Sequence, residues 1–438
     1  MDALRITGGR PIAGTIAVSG SKNAALPMMA ASILADEPVT LDGVPALGDV
    51  RTLAQVLSRL GLSVRREAGG ALRLETVDST PVRASAQLVR RMRAGFCVLG
   101  PLVARRGKAI VPLPGGCAIG DRPVDLHVRG LAALGADIRV RQGCVVATAE
   151  RLIGAQIHLA GPSGPTVTGT ANILCAATLA RGRTVITGAA TEPEVVDLGH
   201  FLISLGARIE GLGSSTIEID GVNQLGGARY RVIPDRIEAA TLLCAAAISG
   251  GSITVCGVIP QHMAAVLETI SATGASLEVR AETISLRAAA APRPVRVIAR
   301  PHPHVPTDVQ AQLTALAALT PGVSRIEDSV FPERFHHVAE LVRLGADIRR
   351  TRSRAIVRGV PGLTGGTVRA TDLRASAALV LAGLAADGVT TIRNIHHLDR
   401  GYERLDEKLN LLGAKIERVR PLQKRGLSVA DRLSGVFA

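Results

Sequence analysis

One short step of sequence recurs six times along the chain and constrains its fold more than any other feature. In each copy a leucine-rich stretch ends in Leu-Gly or Thr-Gly and is followed by alternating apolar residues. A glycine after a helix often adopts the left-handed conformation, and apolar alternation with period two indicates a strand. The pattern therefore predicts six helix–glycine–strand steps. Their glycines, 74, 71, 68, 71 and 68 residues apart, are Gly61, Gly135, Gly206, Gly274, Gly345 and Gly413.

A second pattern alternates with the first and consists of an alanine-rich helix, a glycine stop and a β-branched strand. Examples of this pattern begin at Asn172, Glu238 and Leu373. Each period of about 70 residues thus holds two helices and several strands, which is too large for a solenoid repeat. Six such units fit two lobes of three, so we predict an α/β fold. The first strand, within residues 1–19, precedes the first full unit and is expected to pair with the last copy.

The composition narrows the class of protein. The core is expected to be aliphatic, because 47% of the residues are hydrophobic but only five are Phe, two Tyr and none Trp. No apolar stretch reaches about 18 residues, and the N-terminus lacks the layout of a signal peptide, so no membrane span and a cytoplasmic location are predicted. The six cysteines show neither CxxC nor paired Cys/His spacing. We therefore expect neither a zinc site nor a disulfide framework. No metal-ligand pattern, no GxGxxG after a strand and no other cofactor fingerprint is present, so no metal and no cofactor are expected.

The positive charge of the chain has two interpretations. The formal net charge is +14, and all but five of the 51 basic residues are arginine. A basic surface can attract nucleic acid, whereas arginine can also be concentrated where small anions bind, since its planar fork matches phosphate and carboxylate. The arginines are spread along the chain without a basic tail or interleaved aromatic residues. This distribution favours small anionic ligands over nucleic acid.

Several separated motifs, in order, resemble those of the UDP-N-acetylglucosamine 1-carboxyvinyltransferase family of enolpyruvyl transferases. The resemblance covers roughly residues 1–420 and implies two inside-out α/β barrel domains, each with three βαβαββ-type units. The implied domains are residues 21–229, residues 1–20 with 230–420, and an extension, 421–438. The motifs are Ser19-Gly20-Ser21-Lys22-Asn23-Ala24-Ala25-Leu26-Pro27, Met92-Arg93-Ala94, Pro114-Gly115-Gly116-Cys117-Ala118-Ile119-Gly120, Arg122-Pro123-Val124-Asp125-Leu126-His127, Glu192-Pro193-Glu194, Pro234-Asp235-Arg236-Ile237-Glu238, Pro306-Thr307-Asp308, Thr371-Asp372-Leu373-Arg374 and Asp399-Arg400-Gly401-Tyr402-Glu403.

The resemblance implies transfer of the enolpyruvyl group of phosphoenolpyruvate to a uridine nucleotide, with UDP-N-acetylglucosamine favoured as the acceptor. A trianionic donor needs cations, and Lys22 begins an apolar helix, whose N-terminus attracts phosphate. A solvated lysine there would instead be slightly disfavoured by the helix dipole. By resemblance, Lys22 contacts the donor and Asn23 orients the reacting groups. The arginines implied to clamp phosphate and carboxylate are Arg93, Arg122, Arg374 and Arg400.

Cys117 lies in a glycine-rich segment with the composition of a mobile loop. A lone cysteine is most often a buried small hydrophobe, but a cysteine between glycines and near Arg122 is expected to be exposed, with its thiolate favoured. In the family that it resembles, this cysteine is the proton donor to the vinyl carbon and the target of fosfomycin. The resemblance therefore implies that fosfomycin inhibits the enzyme and labels Cys117.

Asp308 has two possible roles. By resemblance it accepts the proton of the acceptor hydroxyl. An aspartate in Pro306-Thr307-Asp308 could equally cap the helix that follows. Both roles are compatible only if its carboxylate points into the cleft.

The remaining implied contacts concern the acceptor. The segment from Arg122 to Leu126 resembles the part that reads uracil and touches the diphosphate, and Val330 resembles a contact near the sugar. The resemblance also assigns substrate contacts to three further positions. The acceptor and substrate contacts implied in these ways are Pro123, Val124, Asp125, Leu126, Thr166, Val167, Val330 and Asp372.

Three departures from the family pattern cluster around the nucleotide tail and the acceptor sugar. Gly164 stands where a lysine is usual, Thr168 where a glycine is usual, and Pro332 where an acidic residue is usual. These changes leave open an enolpyruvyl transferase that acts on UMP or another uridine nucleotide in nucleoside-antibiotic biosynthesis. A non-catalytic nucleotide-binding paralogue is a third hypothesis, which the retention of Lys22 and Cys117 argues against.

Overall fold

The computed structural model describes residues 2–115, 124–162 and 164–419. Of the predicted site residues, Cys117, Arg122 and Pro123 lie outside the described residues, as does the predicted extension 421–438. Helices and strands alternate along the described part, so the predicted α/β class is confirmed. No helix in this part is long and apolar enough to cross a membrane.

The helices and strands of the described residues follow in chain order. The helices are α1 (Lys22–Ala31), α2 (Gly48–Arg59), α3 (Ala86–Val89), α4 (Leu99–Arg106), α5 (Asp125–Ala133), α6 (Val167–Ala177), α7 (Pro193–Ser204), α8 (Arg236–Ser249), α9 (Ala264–Ala272), α10 (Gln310–Ala318), α11 (His336–Arg343), α12 (Leu373–Ala385) and α13 (Leu405–Leu411). The strands are β1 (Ala3–Thr7), β2 (Ala13–Ala17), β3 (Val39–Asp42), β4 (Leu62–Arg66), β5 (Leu72–Thr76), β6 (Lys108–Pro112), β7 (Asp137–Arg141), β8 (Cys144–Thr148), β9 (Gln156–His158), β10 (Ala160–Gly161), β11 (Gly164–Pro165), β12 (Arg183–Thr187), β13 (Arg208–Glu210), β14 (Thr216–Asp220), β15 (Arg229–Arg231), β16 (Ser252–Cys256), β17 (Ser276–Val279), β18 (Thr283–Arg287), β19 (Arg296–Ala299), β20 (Val323–Asp328), β21 (Asp347–Arg350), β22 (Arg354–Arg358), β23 (Thr367–Arg369), β24 (Val389–Arg393) and β25 (Lys415–Val419).

The six glycines of the repeated step all have a left-handed backbone, with φ between 85° and 106°. Each follows the end of a helix and precedes a strand, for example between α2 and β4 and between α13 and β25. A side chain would strain the backbone at such a position, which is why glycine recurs there. The predicted helix–glycine–strand step is thus confirmed at each of the six positions.

The strands form six sheets of three or four strands and one two-stranded ribbon among the described residues. The strand orders are β15-β3-β5-β4, β6-β8-β7, β13-β14-β12-β9, β17-β18-β16-β2, β19-β20-β22-β21 and β23-β24-β1-β25, with β10 and β11 forming the ribbon. Strand β1 pairs antiparallel with both β24 and β25, near the other end of the chain. The predicted pairing of the first strand with the last copy is therefore confirmed.

Two separate hydrophobic cores divide the described part into two lobes. The first core runs from Ala24 to Val232, and the second joins Leu4–Ile16 to residues from Ile237 to Ile416. We call the parts around these cores the first lobe and the second lobe. In the second lobe α8, α10 and α12 pack against one another and are buried on nearly all sides. Helices that are apolar all round occupy the interior of a protein.

Two chain segments cross between the lobes side by side. The backbone amide of Ser21 donates to the carbonyl of Ile233 at 2.7 Å, and the amide of Asp235 donates to the carbonyl of Ser19 at 2.9 Å. Between them lies Gly20, where an added Cβ would stand 1.9 Å from the carbonyl oxygen of Gly43. Only glycine fits such a close approach. This crossing places the start of α1 at the boundary between the lobes.

Candidate active site

Lys22 lies at this boundary, in the first turn of α1. The Ser21 hydroxyl caps the helix by accepting a hydrogen bond from the amide of Ala24 at 3.4 Å. The Lys22 side chain is buried, and its Nζ lies 3.2 Å from Oδ2 of Asp49. Burial lowers the pKa of Lys22, and the negative charge of Asp49 only partly offsets that effect. The lysine is therefore a buried, ion-paired group in the cleft between the two lobes rather than a solvated surface residue.

Asp49 connects Lys22 to the opposite lobe. It lies in the first turn of α2, and its Oδ1 accepts a hydrogen bond from Nε of Arg400 at 2.9 Å. Gly48 packs against the backbone of the segment that carries Arg400, with a Cβ position 3.5 Å from the carbonyl oxygen of Asp399. Burial would raise the pKa of Asp49, but Lys22 and Arg400 outweigh this effect and lower it. Two predicted donor-binding residues are thus brought together by an acid that the sequence analysis did not identify.

Asp308 lies between the lobes as well, and it does not cap a helix. The helical turn Thr307–Val309 has no side-chain cap. The Asp308 carboxylate instead contacts Nη2 of Arg334 at 2.7 Å, Nη2 of Arg374 at 3.4 Å and Nδ2 of Asn23 at 3.5 Å. Burial would raise the pKa of Asp308, but the adjacent guanidinium groups hold it well below its ordinary value. Of the two roles predicted for this residue, the cap is wrong, because the carboxylate is directed at side chains of both lobes.

Arg374 is the most deeply buried cation of the cleft. It lies in the first turn of α12, where Asp372 accepts hydrogen bonds from the amides of Arg374 and Ala375 at 2.9 and 3.0 Å. Its guanidinium carbon lies 5.2 Å from the centre of the Tyr402 ring. Nε and Nη1 of Arg374 are buried without a hydrogen-bond partner among the described residues. Asp372 thus holds the helix start through its cap, and its predicted substrate contact stays a prediction.

The charges of this cleft do not cancel within the described residues. Two carboxylates, of Asp49 and Asp308, face four cationic side chains. An excess of positive charge in a partly desolvated cleft attracts anions, and arginine forks match phosphate and carboxylate groups. The arrangement is therefore suited to a small ligand with several negative charges. Its cations are Lys22, Arg334, Arg374 and Arg400.

The residues predicted to bind the nucleotide form a second group, in the first lobe. Val124, Asp125 and Leu126 lie at the start of α5, and the Thr166 hydroxyl caps α6 by accepting from the amide of Gly169 at 3.2 Å. Val167 follows in the first turn of α6, and its side chain is exposed. Helices α5 and α6 pack against each other, and the contact of these residues with a nucleotide stays a prediction.

His127 holds these two helices together, and the sequence analysis assigned it no role. Its Nδ1 accepts a hydrogen bond from Nδ2 of Asn172 at 2.9 Å, and its Nε2 lies 3.2 Å from the Thr168 hydroxyl. Burial and the charge of Arg93 lower the pKa of His127 to about 3, so the ring is neutral. Thr168, one of the departures from the family pattern, therefore has a structural partner. No sequence signal separates such a buried histidine from a ligand-binding one.

The other predicted positions are more dispersed. Arg93 begins the helical turn Arg93–Val98 and is half-buried. The backbone amide of Val330 donates to Oδ1 of Asp328 at 2.9 Å, and Pro332 lies two residues further along this loop. Gly164 has a φ of 93° in the ribbon, and its Cβ position lies 3.4 Å from the Pro301 ring of the second lobe.

Two cleft residues, Asp49 and Arg334, were missed by the sequence analysis. Asp49 stands outside every motif, and Arg334 lies in a segment of which only Val330 and Pro332 were singled out. The residues next to Asp49 and Arg334 give no local signal of their ion pairs, since partners such as Asp49 and Lys22 are 27 residues apart. Among the described residues, no group of three or more His, Cys, Asp or Glu side chains could hold a metal ion.

Comparison with known proteins assigns the chain that forms this cleft to a family. The model of the family described as EPSP synthase (3-phosphoshikimate 1-carboxyvinyltransferase) matches residues 6–409. The UDP-N-acetylglucosamine 1-carboxyvinyltransferase of Akkermansia muciniphila is 47% identical over 422 residues, which is 96% of this chain and 99% of that protein. The protein of the same name from Coxiella burnetii is 49% identical over 424 residues, covering 96% of each chain.

Solved structures agree with this assignment. The enolpyruvyl transferase NikO from Streptomyces tendae superposes with a TM-score of 0.86 at 28% identity, covering 96% of this chain and 99% of NikO. An EPSP synthase from Acinetobacter baumannii, at 21% identity, has a TM-score of 0.73 over 96% of this chain and all of that chain, which shows the same fold. The chain belongs to the UDP-N-acetylglucosamine 1-carboxyvinyltransferase family of enolpyruvyl transferases.

Proposed function

We propose that this protein transfers the enolpyruvyl group of phosphoenolpyruvate to the 3-hydroxyl of UDP-N-acetylglucosamine and releases phosphate. One observation carries the proposal: the carboxylate of Asp308 lies beside Asn23 in a cleft with excess positive charge. This combination provides a proton acceptor next to an anion site. The identity of 47–49% to relatives named for this reaction supports the choice of acceptor. A cytoplasmic location and the absence of nucleic-acid partners remain predictions of the sequence.

The donor is proposed to bind at three of the four cations of the cleft. Phosphoenolpyruvate carries a phosphate and a carboxylate, and arginine forks and lysine bind both through charge-assisted hydrogen bonds. Lys22 and Arg400 face each other across Asp49, and Arg374 retains two nitrogens without a hydrogen-bond partner among the described residues. We therefore assign Lys22, Arg374 and Arg400 to the donor. Arg93 and Arg122 keep the donor contacts that the resemblance implies.

The proposed reaction is an addition followed by an elimination. The acceptor O–H bond breaks, its proton passes to Asp308, and the oxygen forms a bond to C2 of phosphoenolpyruvate. C3 gains a proton in the same phase, for which Cys117 is the donor by resemblance. In the second phase C3 returns a proton to the Cys117 thiolate, the electron pair of that C–H bond re-forms the C2–C3 double bond, the bond from C2 to the phosphate oxygen breaks, and phosphate leaves with the proton from Asp308. The cations of the cleft stabilise the negative charge that develops on the departing phosphate.

A different uridine nucleotide, such as UMP, is the alternative acceptor. The observation that favours it is the backbone of Gly164, whose φ of 93° is a conformation that side chains rarely adopt, so the lysine that is usual there would strain the backbone. The proposed nucleotide contacts are the same for both acceptors. By resemblance they are Pro123, Val124, Asp125, Leu126, Thr166, Val167 and Val330, and Asp372 keeps the substrate contact that the resemblance implies.

We further propose that the chain consists of six βαβαββ-type units in two inside-out α/β barrels. The first domain would span residues 21–229, and the second would combine residues 1–20 with 230–420. The six left-handed glycines and the six sheets of three or four strands support this division.

Phosphate release from phosphoenolpyruvate tests the function directly, with UDP-N-acetylglucosamine and UMP offered in separate reactions. We expect release that depends on UDP-N-acetylglucosamine and is at background without any acceptor. Release with UMP alone would instead establish the alternative. Background release with both nucleotides would contradict an enolpyruvyl transferase with a uridine acceptor.

A further inference from the structure

Arg334 reaches the candidate base from the loop between β20 and α11. Its side chain is only 7% exposed, and its Nη2 lies 2.7 Å from Oδ1 of Asp308. The other terminal nitrogen, Nη1, donates to the hydroxyl of Thr307 at 3.0 Å. One guanidinium fork thus holds two consecutive residues of the same turn. Such planar, two-pronged contacts restrict orientation as well as position.

The two oxygens of the Asp308 carboxylate are held unequally. The 2.7 Å contact of Oδ1 is within the range of charge-assisted hydrogen bonds. Oδ2, in contrast, is 3.4 Å from Nη2 of Arg374 and 3.5 Å from Nδ2 of Asn23. Bonds of that length are weak. Oδ1 is therefore fixed, whereas Oδ2 can exchange its contacts for a new partner.

The loop that carries Arg334 is itself fixed at its start. The Thr307 hydroxyl donates to Oδ2 of the fully buried Asp328 at 2.6 Å. Oδ1 of Asp328 accepts from the amides of Val330 and Phe331 at 2.9 and 2.8 Å. The turn of Asp308 and the loop of Arg334 are thus joined at two points, through Thr307 and through Arg334. This double connection defines where the guanidinium can lie.

We propose that Arg334 is a positioning residue for the transfer reaction, which anchors Oδ1 of Asp308 and presents Oδ2 to the acceptor hydroxyl. The inference rests on the proposed function and adds a definite proton-accepting oxygen to it. When the acceptor O–H bond breaks, its electron pair forms the bond to C2 of the donor and its proton binds Oδ2. Oδ1 meanwhile keeps its hydrogen bond to Arg334. The electrons of the C2–C3 double bond take up a proton at C3, for which Cys117 is the donor as in the proposed reaction.

A purely electrostatic role would have the opposite consequence. A guanidinium beside a carboxylate opposes proton uptake, and Arg374 and Arg334 together hold the pKa of Asp308 low against the effect of burial. A base of lower pKa has less driving force for accepting a proton. If charge were all that mattered, removing Arg334 would speed the reaction. A positioning role predicts that its removal slows the reaction even though the base becomes stronger.

The test compares Arg334→Gln and Arg334→Lys with the wild-type protein in steady-state phosphate release. For Arg334→Gln we expect kcat to fall about tenfold to a hundredfold, the cost of a slightly misplaced catalytic group. We expect KM for phosphoenolpyruvate to stay within about twofold, because Arg334 does not hold the donor. The acid limb of the kcat–pH profile should move to higher pH. Arg334→Lys, which keeps the charge without the fork, should restore the pH profile but only part of kcat.

A second variant tests the proposal where Arg334→Gln folds poorly. Thr307→Val keeps the shape of the side chain and removes the partner of Nη1. It should lower kcat less than Arg334→Gln, again without a change in KM for phosphoenolpyruvate. The matched control is Arg354→Gln, which removes an exposed arginine–glutamate pair with Glu327 in the same lobe and should leave all constants unchanged.

The results separate the inference from the proposed function. An inactive wild-type protein would contradict the function, whatever the variants do. An active wild type with kcat of Arg334→Gln unchanged or raised would overturn the inference alone. So would a loss of activity in Arg334→Gln with no shift of the acid limb, since a structural defect lowers kcat without changing the titration of Asp308.

Discussion

Two carboxylates lie in the cleft, and each is paired with two cations in a different way. Asp49 uses both oxygens in contacts of 2.9 and 3.2 Å, and its side chain is 8% exposed. Asp308 has one short contact and two long ones, and its side chain is 26% exposed. A carboxylate with both oxygens engaged and little exposure is suited to neutralise charge, whereas one with a loosely held oxygen is suited to accept a proton. We therefore propose that Asp49 neutralises the charge of its neighbours, whereas Asp308 accepts a proton.

The origin of the partners strengthens this contrast. Lys22 and Arg400, the partners of Asp49, come from different lobes, so this group of ion pairs joins the lobes. Arg334 and Arg374, the cationic partners of Asp308, both come from the second lobe. We expect loss of Asp49 to act mainly on stability and anion binding. Loss of Asp308 is expected to act mainly on chemistry.

The largest expected effect is that of Asp308→Asn. Asparagine keeps the shape and can still accept a hydrogen bond, but it cannot take up the acceptor proton. Loss of a general base lowers turnover by about 100-fold to 10,000-fold. We expect kcat in the phosphate-release assay to fall in this range, with KM for phosphoenolpyruvate changed far less. The control is Glu327→Gln, since Glu327 is a carboxylate on β20 that pairs with Arg354. A kcat for Asp308→Asn within threefold of wild type would show that Asp308 only neutralises charge, as is proposed for Asp49.

Asp49→Asn should lower the free energy of unfolding and increase the stabilisation that added anions provide. It leaves Lys22 and Arg400 close together without their counter-charge, and breaking one side of a buried ion pair costs about 3–5 kcal/mol. We expect denaturant unfolding to show a loss near the lower end of this range. Inorganic phosphate should then raise Tm more for the variant than for the wild type, because it supplies the missing negative charge.

An exposed ion pair elsewhere in the protein provides the control for Asp49→Asn. Glu417→Gln removes one partner of an exposed pair with Arg5 and should change neither Tm nor the response to phosphate. An Asp49→Asn protein with normal stability and a loss of kcat as large as that of Asp308→Asn would end the distinction between the two acids.

The features that the sequence predicted correctly depend on local physics. A left-handed glycine at the end of a helix follows from steric limits on the backbone, and all six predicted examples have positive φ. The period-two run after Gly413 becomes β25, and it pairs with β1 as expected. Such signals are contained in a few neighbouring residues, so they can be read without knowing the tertiary fold.

The pairing within the cleft could not be read in that way. Arg400 and Asp49 are 351 residues apart in the chain, and their contact exists only because the two lobes meet there. Nothing in the sequence near Asp49 or Arg334 distinguishes them from ordinary charged residues in a helix or loop. For Asp308 the sequence left a cap and a base as alternatives. The choice against the cap required knowing which side chains the folded chain places around the carboxylate.

The smallest expected effects concern the caps of the two helices that carry Lys22 and Arg374, the partners of Asp49 and Asp308. Lys22 and Arg374 each lie in the first turn of a capped helix, but Asp372 caps α12 through two bonds of 2.9 and 3.0 Å, whereas Ser21 caps α1 through one of 3.4 Å. Loss of a cap costs about 0.5–2 kcal/mol, so we expect about 2 kcal/mol for Asp372→Ala and about 0.5 kcal/mol for Ser21→Ala in denaturant unfolding.

The two cap variants should also differ in their effect on the clusters. Arg374 depends on its helix start for its place beside Asp308, whereas Lys22 is also held by its ion pair with Asp49. Asp372→Ala should therefore lower kcat measurably, and Ser21→Ala should leave both kcat and KM for phosphoenolpyruvate within about twofold of wild type. A larger loss for Ser21→Ala than for Asp372→Ala would mean that the helix, rather than Asp49, holds Lys22. In that case the ion pair with Asp49 would result from the position of Lys22 and would not determine it.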